Sequence, residues 1–440
     1  MGRAYNPGAG ISVIMRDRLH RAIEEIRGRI PDNPYLRYIE SIRDPDMSST
    51  ILIQIAVYRD MNLLDTIYGA LAQAAWPGRI RFAICLQDVP ERAHILDGIP
   101  GVKYVFVDEK DADGPCVARR ACQEMYDGED FVLHTDGHMR FAKFWDAALI
   151  QNWRECRDEN GFLTEYCLSN SDLWDEPFDS DMSTETATYG HPICIGCKGF
   201  WNTQFVYMIP NSLVTAQYTT VSPRVYWVSA HMAFMPGYID QTVPFDPHMF
   251  FYGDEQPMSA RYFTYGFNAY APTASCMFHM YRGHVSPDAK ARSDLPNSKK
   301  DIHGKTRSKE EVLRIEQLYG LRDNGYADLA VGAKYGLGKA RTFAEYEAFC
   351  GLDFANRRVR NFCKRAMFSG PHSEKDLVYV DYMAPDGMKN SVLDKRFDPM
   401  TFRMEKSVQT DLVKYAKDNG VPIDILVNLA LCEYLRDKQS

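Results

Sequence analysis

The sequence predicts an α/β fold built on a largely parallel sheet, and three observations point to it. Ile51-Leu-Ile-Gln-Ile-Ala-Val57 is a continuous apolar run of strand length, as parallel strands buried on both faces show. Further apolar runs follow at 80–86, 102–107 and 131–133, with helical spacing between them over 63–75 and 116–125. The punctuation also fits: Trp76-Pro77-Gly78 stops the first helix, and Gly114-Pro115 opens the second, where the missing N–H of an early proline costs nothing. Strand–helix–strand alternation of this kind implies a Rossmann-like nucleotide-binding half.

Before that half, residues 12–43 carry a basic amphipathic pattern (Ile14, Leu19, Ile23, Ile26, Ile30) ended by Pro31 and Pro34, which predicts an N-terminal helix. After it, residues 142–230 are less regular, mixing polar turns such as Asp179-Ser-Asp-Met-Ser-Thr with short strands such as 225–228. Loops of this kind are where specificity resides. Gly253-Asp254-Glu255 leads into a helix over 257–265 closed by Gly266, and short strands follow at 268–271 and 274–278, the latter ending at His279. A polar, basic surface loop is expected over 285–310. Three segments result: an N-terminal helical segment 1–48, a main α/β domain 49–354 and a helical C-terminal extension 355–440. Within the extension, 407–438 holds two helical patterns split by Asp418-Asn-Gly420-Val-Pro422. This reads as a helical hairpin packed on the core or on a second subunit, hence a candidate homodimer contact, with a ribbon–helix–helix-like unit as the alternative.

With 440 residues the chain can bury one large or two ordinary cores. A net charge of −8 argues against non-specific nucleic-acid binding by the whole surface. The sequence contains no apolar run of membrane-spanning length and no apolar signal core at Met1-Gly-Arg-Ala-Tyr-Asn, so no membrane association is expected. Eleven cysteines, an odd number in mostly apolar contexts, suggest reduced buried thiols and a cytoplasmic location. Cys194-Ile-Gly-Cys197 lacks the second pair a zinc site would need, and reads as a core or loop pair.

The densest chemistry lies in Phe131-Val-Leu-His-Thr-Asp136-Gly-His138-Met-Arg-Phe141. Residues two apart on a strand point the same way, so Asp136 and His138 can converge on one ion at the carboxyl edge of the sheet. One oxygen and one imidazole ligand suit Mn²⁺ or a similar divalent cation. The plainer alternative is an aspartate capping a turn beside an incidental histidine.

Six segments in order outweigh that alternative. They are Ile53-Gln-Ile-Ala-Val-Tyr58-Arg59-Asp60, Asp113-Gly114-Pro115-Cys116-Val-Ala-Arg119, Asp136-Gly-His138-Met-Arg-Phe141, Phe251-Tyr-Gly253-Asp254-Glu255, then Thr264 to Pro272 with Phe278-His279-Met-Tyr-Arg282, and Tyr335-Gly-Leu-Gly-Lys-Ala-Arg341 through Tyr346. Over roughly 49–354 the chain resembles the cytosolic N-acetylglucosaminyltransferases that place GlcNAc on hydroxyproline of a ubiquitin-ligase subunit, together with their bacterial relatives. It is more distantly similar to the polypeptide GalNAc-transferases. The resemblance implies a GT-A glycosyltransferase fold, a UDP-sugar donor, Mn²⁺ or another divalent cation, and retention of anomeric configuration. It implies Asp136, His138 and His279 as metal ligands, with His284 the rival third. Tyr58, Arg59, Gly114, Pro115, Arg119 and Asp136 would contact the donor, Tyr58 by stacking on uracil and Arg119 from a helix whose N-terminus favours anions. Asp254 and Glu255 would be the catalytic carboxylates, orienting donor sugar or acceptor. Two departures stand out: Gly253-Asp254-Glu255 where relatives more often have Gly-Glu-Glu, and Ser229-Ala230-His231, which makes His231 a candidate pocket residue. Arg282 is a further candidate.

The leading expectation is therefore a metal-dependent retaining transferase moving GlcNAc from a UDP-sugar to a hydroxyl of a protein or peptide. Transfer to hydroxymethylated bases in DNA is the first alternative, motivated by the C-terminal pattern. A non-catalytic nucleotide-sugar-binding protein is the second.

Overall fold

The computed structural model describes residues 20, 21, 23, 24, 27, 28, 48–169, 192–200, 205–212, 224–251, 253–273, 275–281, 307–360 and 379–380. Its centre is a seven-stranded sheet. Strand β1 (Ile51–Tyr58) lies between β2 (Ile80–Asp88) and β4 (Phe131–Thr135), parallel to both, and β3 (Val102–Asp108) extends the sheet beyond β2. On the other side β10 (Met232–Pro236) runs antiparallel to both β4 and β6 (Gly161–Thr164), and β11 (Asn268–Tyr270) pairs parallel with β6. The spatial order is β11-β6-β10-β4-β1-β2-β3.

Apolar residues on both faces of β1 explain its unbroken run. Ile51, Ile53, Ile55 and Val57 share one core with α1 (Leu63–Gln73) and α3 (Trp145–Glu155). Leu52 faces the other core, with Ala118 and Cys122 of α2 (Pro115–Gln123), Ile239 of α4 (Gly237–Thr242), and Met258 and Tyr262 of α5 (Gln256–Thr264). Helices therefore cover both faces of a mostly parallel sheet, the α/β class that the sequence predicts. Two of the buried polar side chains in β1 and β4 share one partner. Gln54 Nε2 donates to Asp240 at 3.0 Å, and His134 Nε2 lies 2.7 Å from the same carboxylate.

Buried charge ties the first βα unit to α3. Asp146, fully buried, accepts from Arg79 Nη2 at 2.7 Å and from the backbone N–H of Ala75 at 2.6 Å. That fixes the turn where Trp76-Pro77-Gly78 stops α1.

A small second sheet, β5 (Met139–Phe141), β12 (Met277–His279) and β7 (Leu168–Ser169), sits after the central strand. A β-hairpin, β8 (Ile193–Phe200) with β9 (Val206–Ser212), follows, and further along come α6 (Arg307–Leu318), α7 (Phe343–Cys350) and a three-stranded sheet of β13 (Leu352–Asp353), β14 (Arg358–Arg360) and β15 (Tyr379–Val380).

The local reading needs four corrections. Strand β4 ends at Thr135, so Asp136 and His138 lie on the turn into β5 and not on one strand. Residues 225–228 form no strand although all four are buried; their backbone is partly satisfied by side chains, as where Val228 N donates to Ser259 Oγ at 2.9 Å. The stretch from 142 contains the eleven-residue helix α3. Of the loop expected over 285–310, residues 285–306 lie outside the described residues, and Arg307 begins α6, where Ile315 and Leu318 turn inward. Cys194 and Cys197 are buried in β8 as a core pair. Residues 20, 21, 23, 24, 27 and 28 are helical, with Ile23 in the core, while the rest of that segment and the C-terminal hairpin pattern lie outside the described residues. No described helix is long and apolar enough to cross a membrane.

Candidate functional site

Strand order reverses between β1 and β4, because β2 and β3 continue from one and β10 from the other. Open α/β sheets bind ligands at the carboxyl side of such a switch point. Asp60, just past β1, and the Asp136-Gly137-His138 turn, just past β4, meet there. His138 Nδ1 lies 2.6 Å from Asp60 Oδ2. With Nδ1–H given to that carboxylate, Nε2 faces the other way and carries no proton, the state a metal-ligating imidazole needs.

The small sheet supplies the third group. In its register His279 pairs with Met139, and the N–H of Met280 donates to the carbonyl of His138 at 3.1 Å. The two Nε2 atoms of His138 and His279 come within 3.0 Å of each other, and His279 Nε2 lies 3.2 Å from Asp136 Oδ2. One carboxylate oxygen and two imidazole nitrogens, all within 4.8 Å of one another, form a candidate metal centre. Two imidazole nitrogens facing each other can share at most one proton, whereas a divalent cation would satisfy both. The donor set fits Mn²⁺ or a similar ion. Burial pushes the His279 pKa down to about 4, which keeps the ring neutral and able to ligate. Burial opposes the charge on Asp136, but the His279 hydrogen bond and the nearby Arg119 outweigh it and hold the carboxyl well below its usual range.

Arg119 completes the polar wall. It projects from α2, opened by Gly114 at φ +91°, where a Cβ would fall 2.4 Å from the carbonyl oxygen of Phe250. Pro115 follows at the first helical turn. Arg119 Nη2 lies 3.0 Å from Asp136 Oδ1, and its Nε lies 3.7 Å from Asp254 Oδ2. Glu255 Oε1 accepts the N–H of Ala230 at 3.2 Å. Burial, with neighbouring Asp254 adding to it, pushes the Glu255 carboxyl up to about 8, so it holds a proton at neutral pH.

Not every expected residue joins this group. Arg59 is committed to an ion pair with Glu109 at 2.6 Å, and Tyr58 packs with Ala112 and Phe250 beside the end of β1. His231 is fully enclosed, its ring centroid 4.5 Å from that of His279. Arg282 and His284 lie outside the described residues. Asp60 was missed as a site residue. Its signal is an acid at a strand's carboxyl end in the same layer as Asp136, legible only once β1 and β4 are known to be neighbours. A second acid–histidine group, Asp246, His248 and Asp328, is different in kind. Arg314 Nη2 already bridges its two carboxylates at 2.6 Å each, so the guanidinium provides the balancing charge.

A family model described as Glycosyltransferase (GlcNAc) matches residues 99–356, more than half of the chain. The chain belongs to this glycosyltransferase family. The match takes in α2, the Asp136–His138 turn, Asp254, Glu255 and His279. No curated protein matches the sequence. Among solved structures the glycosyltransferase is similar to GalNAc-T7 with UDP, GalNAc and Mn²⁺, at 12% identity and a TM-score of 0.41, over 61% of this chain and 48% of that one. It therefore spans about half the length of GalNAc-T7. It is also similar to residues 1–349 of S. aureus TarS in complex with UDP-GlcNAc, at 13% identity and a TM-score of 0.35, over 60% of this chain and 65% of that one. A third likeness is to the mannosyltransferase PcManGT from Pyrobaculum calidifontis with GDP-Man and Mn²⁺, at 12% identity and a TM-score of 0.31, covering 60% and 66% of the two chains.

Proposed function

We propose that this glycosyltransferase moves GlcNAc from UDP-GlcNAc to a hydroxyl of a protein or peptide, with retention of anomeric configuration, and that it depends on a divalent cation held by Asp136, His138 and His279. The observation that carries this reading is the convergence of one carboxylate oxygen and two imidazole nitrogens at the switch point of the sheet, beside Arg119. The family description supports GlcNAc as the sugar. The acceptor class and the stereochemistry follow from the resemblance to the hydroxyproline GlcNAc-transferases.

A UDP-sugar donor leaves as a diphosphate, so the site must stabilise charge growing on the β-phosphate oxygens. A divalent cation bound at the three ligands supplies that charge stabilisation as a Lewis acid. Around it the chain's own residues have separable roles. Asp60 fixes which nitrogen of His138 faces inward. Arg119, buried and held charged by Asp136 and Asp254, presents a fixed positive group to the phosphates from a helix N-terminal half. Asp254, beside Arg119, and Glu255, held protonated by burial and anchored on Ala230 N–H, orient sugar and acceptor hydroxyls through hydrogen bonds. Tyr58, at the end of β1, is left as the candidate to stack on the nucleoside, whereas Arg59 is held by Glu109.

The test is UDP release by purified protein with Mn²⁺ and a panel of UDP-sugars, with and without EDTA and with peptide acceptors. Release selective for UDP-GlcNAc and abolished by EDTA is expected. Asp136→Ala should lose it while keeping the wild-type circular dichroism spectrum. Full turnover in that variant overturns the reading.

A further inference from the structure

We infer that His231 is a positioning residue for His279: together with Tyr281 it forms an aromatic corner, tied to the peptide of Cys167, that sets the angle of the His279 ring toward the cation. This inference rests on the metal-dependent reading above. It begins from an asymmetry between the two histidines. His138 is oriented by a carboxylate at its outer nitrogen, Asp60 at 2.6 Å. His279 Nδ1 is buried and has no hydrogen-bond partner among the described residues. A ligating imidazole without a polar anchor must be oriented by packing.

The packing is specific. His279 has the His231 ring at 4.5 Å between centroids and the Tyr281 ring at 4.3 Å, while His231 and Tyr281 are themselves 6.0 Å apart with perpendicular planes. These separations place the two neighbours at roughly a right angle about the His279 ring, which sits in the corner between them. Both neighbours end on the backbone of one residue. The N–H of Cys167 donates to His231 Nε2 at 3.0 Å, and the Tyr281 hydroxyl donates to the carbonyl of Cys167 at 2.6 Å. The strand that follows Cys167, β7, pairs with β12 so that Ser169 lies opposite His279. The anchor at Cys167 and the residue the corner holds thus sit on neighbouring strands, with His231 reaching them from just before β10.

His231 itself is not a fourth ligand. Its Nε2 lone pair is taken by the Cys167 N–H, and Nδ1 lies 3.2 Å from Ser229 Oγ, to which it can donate. Tyr166 closes the outer side, edge-on to His231 at 4.9 Å and stacked on Tyr281 at 5.2 Å. Neighbours that orient a metal ligand typically alter affinity by about 10- to 100-fold when removed.

The experiment is a Mn²⁺ titration followed by electron paramagnetic resonance, on wild type, His231→Ala, Tyr281→Phe and Asp136→Ala, with metal-free thermal unfolding of each. His231→Ala should bind Mn²⁺ about 10-fold more weakly and give an altered bound-ion spectrum. Tyr281→Phe keeps its ring but loses the Cys167 tie, and should show a smaller loss of the same kind. A folded His231→Ala with wild-type affinity and spectrum overturns the inference. If that variant does not fold, wild-type affinity in Tyr281→Phe overturns it instead. Asp136→Ala separates the two levels: unchanged Mn²⁺ binding there sinks the cation reading itself, whereas loss there with retention in the other two sinks only the role of His231.

Discussion

Asp60 decides which face of His138 the site sees. An aspartate accepts from Nδ1–H and leaves Nε2 unprotonated; an asparagine can offer its own N–H instead, and the ring then carries its proton on the wrong nitrogen. Asp60→Asn is therefore expected to weaken Mn²⁺ binding by about 10- to 100-fold with little change in melting temperature. Isothermal titration checks it, and an unchanged affinity would show that the 2.6 Å contact does not set the tautomer. Glu165 poses a different residue-scale problem. Its carboxyl is buried, Oε1 accepts from Ser275 Oγ at 3.0 Å, and Oε2 has no partner among the described residues. Burial pushes its pKa to about 8 from an ordinary 4.5. The folded chain keeps this proton up to about 8 and the unfolded chain sheds it near 4.5, so stability must fall as pH rises through that window. Glu165→Gln, which has no proton to lose, should match wild type near pH 5 and exceed it near pH 8 by on the order of a few kcal/mol. Denaturant midpoints at the two pH values measure this; parallel curves for wild type and variant would refute it.

At the scale of elements, legibility follows the source of each element's stability. Strands β1, β2 and β3 can be read directly because a strand buried between two helical layers has to be apolar at nearly every position. Helix α2 is legible because Gly114-Pro115 marks its start, and its basic side chain at Arg119 lands where the site needs it. Helix α3 is obscured because its polar residues are spent inside: Asp146 holds Arg79, and Asn152 accepts from the N–H of Thr273 at 2.9 Å, so a buried helix reads as a mixed, loop-like stretch. Residues 225–228 mislead in the opposite sense, since a buried aromatic and β-branched run looks like a strand whether or not a partner strand exists. The candidate site shows the same division. Asp136 and His138 can be picked out by type and spacing, although a turn and not strand alternation brings them together. His279 depends on a register between β5 and β12 that spans about 140 residues, and only the resemblance to a family anticipates it. The roles of Asp60 and of the His231–Tyr281 corner are products of tertiary pairing, so the sequence can single out Asp60 and His231 but not what they hold.

At the scale of the whole molecule, the question is which part of the chain the chemistry needs. The chain divides into two compact units, Met1–Lys389 and Asn390–Ser440. Every candidate ligand and carboxylate described, together with Arg119, Asp60 and His231, belongs to the first, and the family match ends at residue 356. In the proposed reaction donor cleavage draws on the cation site, Arg119 and the two carboxylates, all of which that unit contains. A chain ending at Lys389 is therefore expected to fold and to release UDP from UDP-GlcNAc with Mn²⁺ at a rate within a few-fold of the full chain. Transfer to a peptide is the separate measurement. If UDP release survives and transfer falls, the last fifty or so residues act on the acceptor, and salt-dependent binding of modified DNA by the full chain alone would then favour that acceptor over a peptide. If UDP release is itself lost from a folded truncated chain, the donor site is incomplete without those residues, and the division of labour drawn here is wrong.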